Sequence, residues 1–338
     1  MTAQKAIQPA APSQDIDRGP QLEWVRPVRE PVVWICQAPR SGGTLLLRLL
    51  DSHPQLHGYP SVFGFTNPEM IWPSSEELAV SGGKLLSGAF AKMSLAKFDR
   101  VGMSKQSSNM VQDVYPIYFD QEWFETIFAE FCRDSSDRHK FDAVFTAVFN
   151  AWRNYQSLYF EKKYVVGHMT MRWGQLEHYV ENFQRFQATY PDGYMIFMTR
   201  EPDDWMASYT SLKKATPYSG DPREAADYYK AYYRQALEVA AGGRLIVLRF
   251  RDLLQQGEAT MGALAAKLGI DWNPLLLRPT FNGAPWYQNS SFEHSRLAAI
   301  DTTVMGQGKQ LAGDVAAAID AEMWDLHDKL SAATLAPL

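Results

Sequence analysis

Two short stretches of this chain carry residue types suited to gripping anions. The first, Pro39-Arg40-Ser41-Gly42-Gly43-Thr44, packs a permanent cation, two hydroxyls and two glycines into a single turn. Glycine and serine let successive backbone N–H groups converge on one anion, and arginine adds a charge that does not titrate near neutrality. The second, Thr199-Arg200-Glu201-Pro202-Asp203-Asp204-Trp205-Met206-Ala207-Ser208, sets an arginine ahead of a serine that falls on the second turn of any helix begun between them. There Ser208 faces back toward the planar fork of Arg200, a geometry that suits a phosphate. For proton transfer near neutral pH the candidates are histidines, His168 first and His57 next.

The elements that must position these residues follow from apolar patterning. Val32-Val33-Trp34-Ile35 is a β-branched and aromatic run that predicts a strand, and the Leu-rich segment ending at Leu50-Asp51-Ser52-His53-Pro54 predicts a helix, closed by His53. The first turn then lies at a helix N-terminus, where the dipole favours negative charge. Against the nucleotide pattern G-x-x-x-x-G-K-[ST], Gln37 occupies the place of the first glycine and Gly43 that of the lysine. An ordinary ATPase or GTPase is thereby disfavoured.

Further strands are expected at 164–170, 194–199 and 245–250, with 57–65 a strand or a loop crossing the sheet. Helices are expected at 76–98, 121–133 behind an Asp120 cap, 137–160, 175–190, 200–214, 222–240 and 260–268, with an Ala-rich helix at 311–333. Strands alternating with helices imply an α/β fold with a mainly parallel sheet, helices on both faces, and ligands at the carboxyl ends of the strands. We expect one domain over 23–338, with a helical cap insertion at about 70–162 that includes a polar loop at 104–115, and a disordered leader over 1–22.

Composition narrows the classes. The formal net charge of −5 argues against a nucleic-acid partner, so any anion binding must be local. The two cysteines, Cys36 inside the opening strand and Cys132, suggest a reducing compartment, and no Cys/His cluster suggests a metal. No apolar run is long enough for a membrane span, which makes a cytoplasmic protein the expectation.

The first turn resembles the 5′-phosphosulfate loop of sulfotransferases that use 3′-phosphoadenosine 5′-phosphosulfate (PAPS), written P-[RK]-S-G-T-T. It departs from that pattern only at Gly43. Arg200 and Ser208 resemble the same family's 3′-phosphate motif, and 247–254 its late R-Y-E-D-L strand, with Phe250 and Arg251 as departures. The resemblance implies a P-loop NTPase-like three-layer sandwich and transfer of a sulfuryl group to a hydroxyl or amine of a small-molecule or carrier-bound acceptor, releasing adenosine 3′,5′-bisphosphate without a metal. It implies that Arg40, Ser41, Gly42, Gly43, Thr44 and Leu45 hold the 5′ end, Arg200 and Ser208 the 3′-phosphate, and Arg40 also the charge of the reaction. The two cradles would stand at two sheet edges. His168 resembles the histidine of the T-H-L-P motif that deprotonates the acceptor, with Gly167 and Thr170 as departures. A late loop closing on the nucleotide would use Asn289, Ser290 and Ser291, or alternatively the stretch Gly306-Gln307-Gly308-Lys309. The competing readings are a P-loop nucleotide kinase and a non-catalytic nucleotide-binding protein.

Overall fold

The computed structural model describes residues 21–62, 119–133, 137–155, 157–168, 173–211, 221–241, 245–286, 300, 302 and 305–335. Five strands form one wholly parallel sheet: β1 (Val32–Ile35), β2 (Leu56–Val62), β3 (Tyr164–His168), β4 (Tyr194–Thr199) and β5 (Leu245–Arg249), in the order β2-β3-β1-β4-β5. Alternation along the strands sorts the side chains into two cores, as a pleated sheet covered on both faces requires. Val33, Ile35, Val166, Ile196, Met198 and Leu248 meet α1 (Gly43–Leu50) and helices of the later chain on one face. Val32, Trp34, Val165, Met195, Phe197 and Val247 point the other way, into an aromatic-rich core.

The helices α2 (Gln121–Phe131), α3 (Asp137–Ala151), α4 (Tyr179–Thr189), α5 (Pro202–Thr210) and α6 (Pro222–Ala240) follow in chain order. After β5 come α7 (Phe250–Gln255) and α8 (Gly257–Leu268), then a two-strand ribbon of β6 (Thr280–Phe281) and β7 (Ala284–Pro285), and finally α9 (Gly313–Ala317) and α10 (Ala321–Ser331). α7 and α8 pack on the face of α1, whereas the aromatic face is built by α2, α3, α4, α5, α6 and α10. Asp120 caps α2 by accepting the Trp123 N–H at 3.0 Å, and α6 opens on Asp221 in the same manner.

Several elements differ from the expectation. The 57–65 segment is a strand to Val62, paired parallel to β3. The helix expected over 137–160 stops at Ala151, because Trp152 leaves the helix to bridge Phe119 and carries the chain into a turn. The Ala-rich tail breaks into α9 and α10, since Asp320 accepts the Met323 N–H at 2.9 Å and starts a new helix. α4 begins only at Tyr179, behind a 3-10 turn over Trp173–His178, and α5 spans Pro202–Thr210, within the expected 200–214. α8 starts three residues earlier than the expected 260. Cys36 lies one residue beyond β1 yet stays buried, its N–H donating to the Ile196 carbonyl at 2.9 Å. The expected helix at 76–98, the loop at 104–115 and the leader up to 20 lie outside the described residues. Among the described residues no helix is long and apolar enough to cross a membrane, and none form a group able to hold a metal ion.

One buried carboxyl far from the loops makes a test of this core. Asp142 on α3 accepts the Tyr190 hydroxyl at 2.9 Å, and burial pushes its carboxyl up to about 6. A carboxyl raised in the folded state favours folding below the unfolded value near 4, and that contribution is lost as pH rises through about 6. Asp142→Asn keeps the acceptor for Tyr190 without the charge. We expect it to raise the melting temperature at pH 8 and leave it unchanged at pH 4, measured by scanning calorimetry.

Candidate functional site

β1 sits between β3 and β4, with Ile35 in register with His168 on one side and Ile196 on the other. The segments that leave the carboxyl ends of these three strands therefore emerge side by side, at the place where open α/β sheets bind ligands. The chain leaves β1 through Gln37 and turns at Arg40 and Gly42, both with positive φ (71° and 94°), before α1 begins at Gly43. Only glycine suits position 42, because a Cβ there would also lie 2.4 Å from the Phe250 ring. The Ser41 side chain is fully buried, and its hydroxyl has no hydrogen-bond partner among the described residues. A buried hydroxyl without a partner is costly, so this turn carries an unmet bonding capacity.

The second stretch meets the first directly. Arg40 Nε donates to Ser208 Oγ at 3.2 Å, and Arg200 Nη1 donates to the Arg40 carbonyl at 2.7 Å. The Trp205 indole on α5 donates to the Pro39 carbonyl at 2.6 Å, clamping α5 under the turn. Two tyrosines on α6 hold the main chain at Arg200: the Tyr233 hydroxyl accepts its N–H at 2.9 Å, and the Tyr229 hydroxyl donates to its carbonyl at 2.8 Å. The guanidinium lies 5.0 Å over the Phe250 ring. The two anion-suited stretches are thus one site on paired interior strands, not two cradles at separate sheet edges.

Electrostatics concentrate positive charge here. Burial, followed by the charge of Arg200, pulls Arg40 down to about 10. Arg200 is lowered by burial, with Asp204 and Glu201 opposing. Two guanidinium groups held together and largely out of water repel one another, and an anion between them would relieve both. Thr44 and Leu45, at the start of α1, are half-buried. Their link to the site is their place in the first turn of α1, directly after the Arg40–Gly42 turn.

His168 ends β3 and is half-buried, with Nε2 3.0 Å from the Gln37 amide nitrogen. Burial, then the charge of Arg48, lowers it to about 4. His57 is placed differently: on the edge strand β2 it pairs with Val165, stacks on Phe149 at 4.6 Å and shares Nδ1 with the Tyr155 hydroxyl at 3.0 Å. Burial, with Lys162 and Arg26, brings it down to about 2. His53 joins the helix end to the later chain, its Nε2 donating to the Asp271 carbonyl at 2.9 Å.

Asn289, Ser290 and Ser291 lie outside the described residues. The rival stretch is seated on α5: Gly306 N–H and Gly308 N–H donate to the two carboxylate oxygens of Asp204, each at 2.9 Å. A Cβ on Gly308 would lie 2.5 Å from that of Asp203, so this close approach requires glycine. Sequence reasoning missed the roles of Asp204, Trp205, the two tyrosines and Phe250. Of the contacts it missed, Gln37 alone left a visible signal, as a side chain in a place where phosphate loops carry glycine.

A profile described as "Sulfotransferase family" matches residues 31–274, which takes in every described element of the site except the 306–308 anchor. No curated protein matches the sequence. Among solved structures, the sulfotransferase domain from the Synechococcus PCC 7002 olefin synthase is similar at 14% identity and a TM-score of 0.54, over 90% of this chain and 96% of that one. The sulfotransferase domain from the curacin biosynthetic pathway is matched at 14% identity and a TM-score of 0.49, over 89% of this chain and 98% of that one. A sulfotransferase from Alicyclobacillus acidocaldarius is matched at 16% identity and a TM-score of 0.42, over 90% of this chain and 95% of that one.

Proposed function

The chain belongs to the sulfotransferase family, and on that premise we propose that it moves the sulfuryl group of PAPS to a hydroxyl or amine of a small-molecule or carrier-bound acceptor in the cytoplasm. The observation that carries this reading is the meeting of Arg40 with both Ser208 and Arg200 just past the ends of the adjoining strands β1 and β4, with Ser41 beside Arg40 in the same turn.

In the reading, the amides of 41–45 and the idle Ser41 hydroxyl hold the 5′ end of the donor, while Arg200 and Ser208 take its 3′-phosphate. The S–O bond to the bridging phosphate oxygen breaks as the acceptor atom bonds to sulfur in line with it. Arg40 neutralises the charge that grows on the departing oxygen, and the acceptor's proton passes to the His168 imidazole. Binding, orientation and charge stabilisation are the whole of the protein's task, as in phosphoryl transfer. The anchoring of Gly306 and Gly308 on Asp204 supports the 306–309 stretch as the late loop that closes on the nucleotide.

Gly43 in place of a Walker lysine speaks against the nucleotide-kinase reading. Titration calorimetry decides between donors: we expect adenosine 3′,5′-bisphosphate to bind with micromolar affinity and ATP far more weakly. ATP binding as tightly as the bisphosphate would overturn the assignment. Bisphosphate binding without transfer to any of a panel of alcohols, phenols and amines would favour a non-catalytic nucleotide-binding protein.

A further inference from the structure

The phosphate-type turn departs from its family's pattern at one residue, Gly43, and from nucleotide loops at another, Gln37; the structure makes these a single feature. A Cβ on Gly43 would fall 2.0 Å from Gln37 Nε2 and 2.6 Å from its Cδ, so the Gln37 amide occupies the room that a side chain at 43 would need. The same nitrogen stands 3.0 Å from His168 Nε2, joining positions far apart in the chain. An amide NH2 can only donate, so His168 Nε2 must accept and the ring's proton must sit on Nδ1. We propose that Gln37 is a positioning residue for His168: it fixes the Nδ1–H tautomer and aims the Nε2 lone pair at the turn, and the glycine at 43 is what makes room for it.

This rests on the reading of His168 as the base. It adds how that base is oriented. The imidazole of a half-buried histidine is useful as a base only if its lone pair, and not its N–H, faces the reacting atoms. Held by Gln37, the lone pair faces the amide at the start of the turn. The acceptor then takes the place of the amide N–H on that nitrogen. The lowering of His168 by burial and by Arg48 keeps the ring neutral, as an accepting Nε2 requires. The second amide atom, Gln37 Oε1, is buried without a hydrogen-bond partner among the described residues, so its cost is borne by a side chain whose other end has a task.

The pairing is tested on the protein without any donor. In wild type, two-bond 15N–1H spectra should show His168 as the Nδ1–H tautomer, and Gln37→Ala should move it toward a mixture with Nε2–H. Gly43→Thr, which installs the residue of the family pattern, should lower the Tm by about 1–4 °C through overpacking. The double change Gln37→Ala with Gly43→Thr should regain most of that loss. If Gly43→Thr fails to fold, recovery of folded protein in the double variant supports the pairing in the same way. An Nε2–H tautomer in wild type, an unchanged His168 spectrum in Gln37→Ala, or Tm shifts that simply add would overturn the proposal. None of these measurements involves the nucleotide. A failure of bisphosphate to bind wild type would overturn the donor assignment and leave the tautomer result standing.

Discussion

Replacing Arg200 by alanine is expected to weaken adenosine 3′,5′-bisphosphate binding by at least about 100-fold in titration calorimetry. A charge-assisted hydrogen bond contributes about 1.5–3 kcal/mol. A fork that makes two of them to one phosphate is therefore worth about two decades or more in affinity. The fold should survive the change. Tyr229 and Tyr233 bond to the main chain at position 200, not to the guanidinium, and α5 stays clamped through Trp205 and the Pro39 carbonyl. Arg200→Lys keeps the charge and loses the fork, so it should fall between the two. A loss below about fivefold in Arg200→Ala, with the melting temperature unchanged, would show that the 3′-phosphate is held elsewhere.

His168→Ala is expected to lower kcat by about 100-fold to 10000-fold, the range of a general base, while bisphosphate affinity changes less than about twofold. The pH profile carries the same assignment. A base must be neutral to accept a proton, and His168 is lowered to about 4 by burial and Arg48, so activity should hold from neutral pH down to about 5 and fall as pH drops through about 4. An unperturbed histidine would lose activity near 6.5 instead. His57→Gln should act otherwise. It disturbs a buried stack on Phe149 and a bond to Tyr155, so the melting temperature should fall and kcat per folded molecule should not. A kcat for His168→Ala within about threefold of wild type would remove the residue from the reaction.

The strand at 32–35, the turn after it and the Arg200–Ser208 spacing are legible in sequence because each is a local pattern: a run of apolar residues, two glycines beside an arginine, a helix started by proline. The parallel sheet is legible for the same reason, since its strands read as continuous apolar runs. What sequence did not carry is how these pieces face one another. Gln37 and His168 touch across the β1–β3 pairing, and Arg40 and Ser208 across the β1–β4 side, and strand order is not written in either element. Phe250 is a further case. It reads as one more apolar residue after a strand, yet its ring is the floor beneath Gly42 and Arg200, which emerges only once β5 is laid beside β4. The tail shows a local signal that was present and outweighed: Asp320 is a plain helix cap, hidden by the alanines around it.

β1 and β4 are bonded neighbours, so the strand ends from which the turn and residue 200 depart are held apart by the backbone lattice of the sheet, about 4.8 Å. That lattice acts as a gauge. Swapping side chains can strengthen or loosen the grip at either end, but it cannot lengthen the interval, because the interval belongs to the peptide ladder itself. Substitutions in the turn or on α5 then change the hold at each end and leave the spacing of the two strand ends as it is.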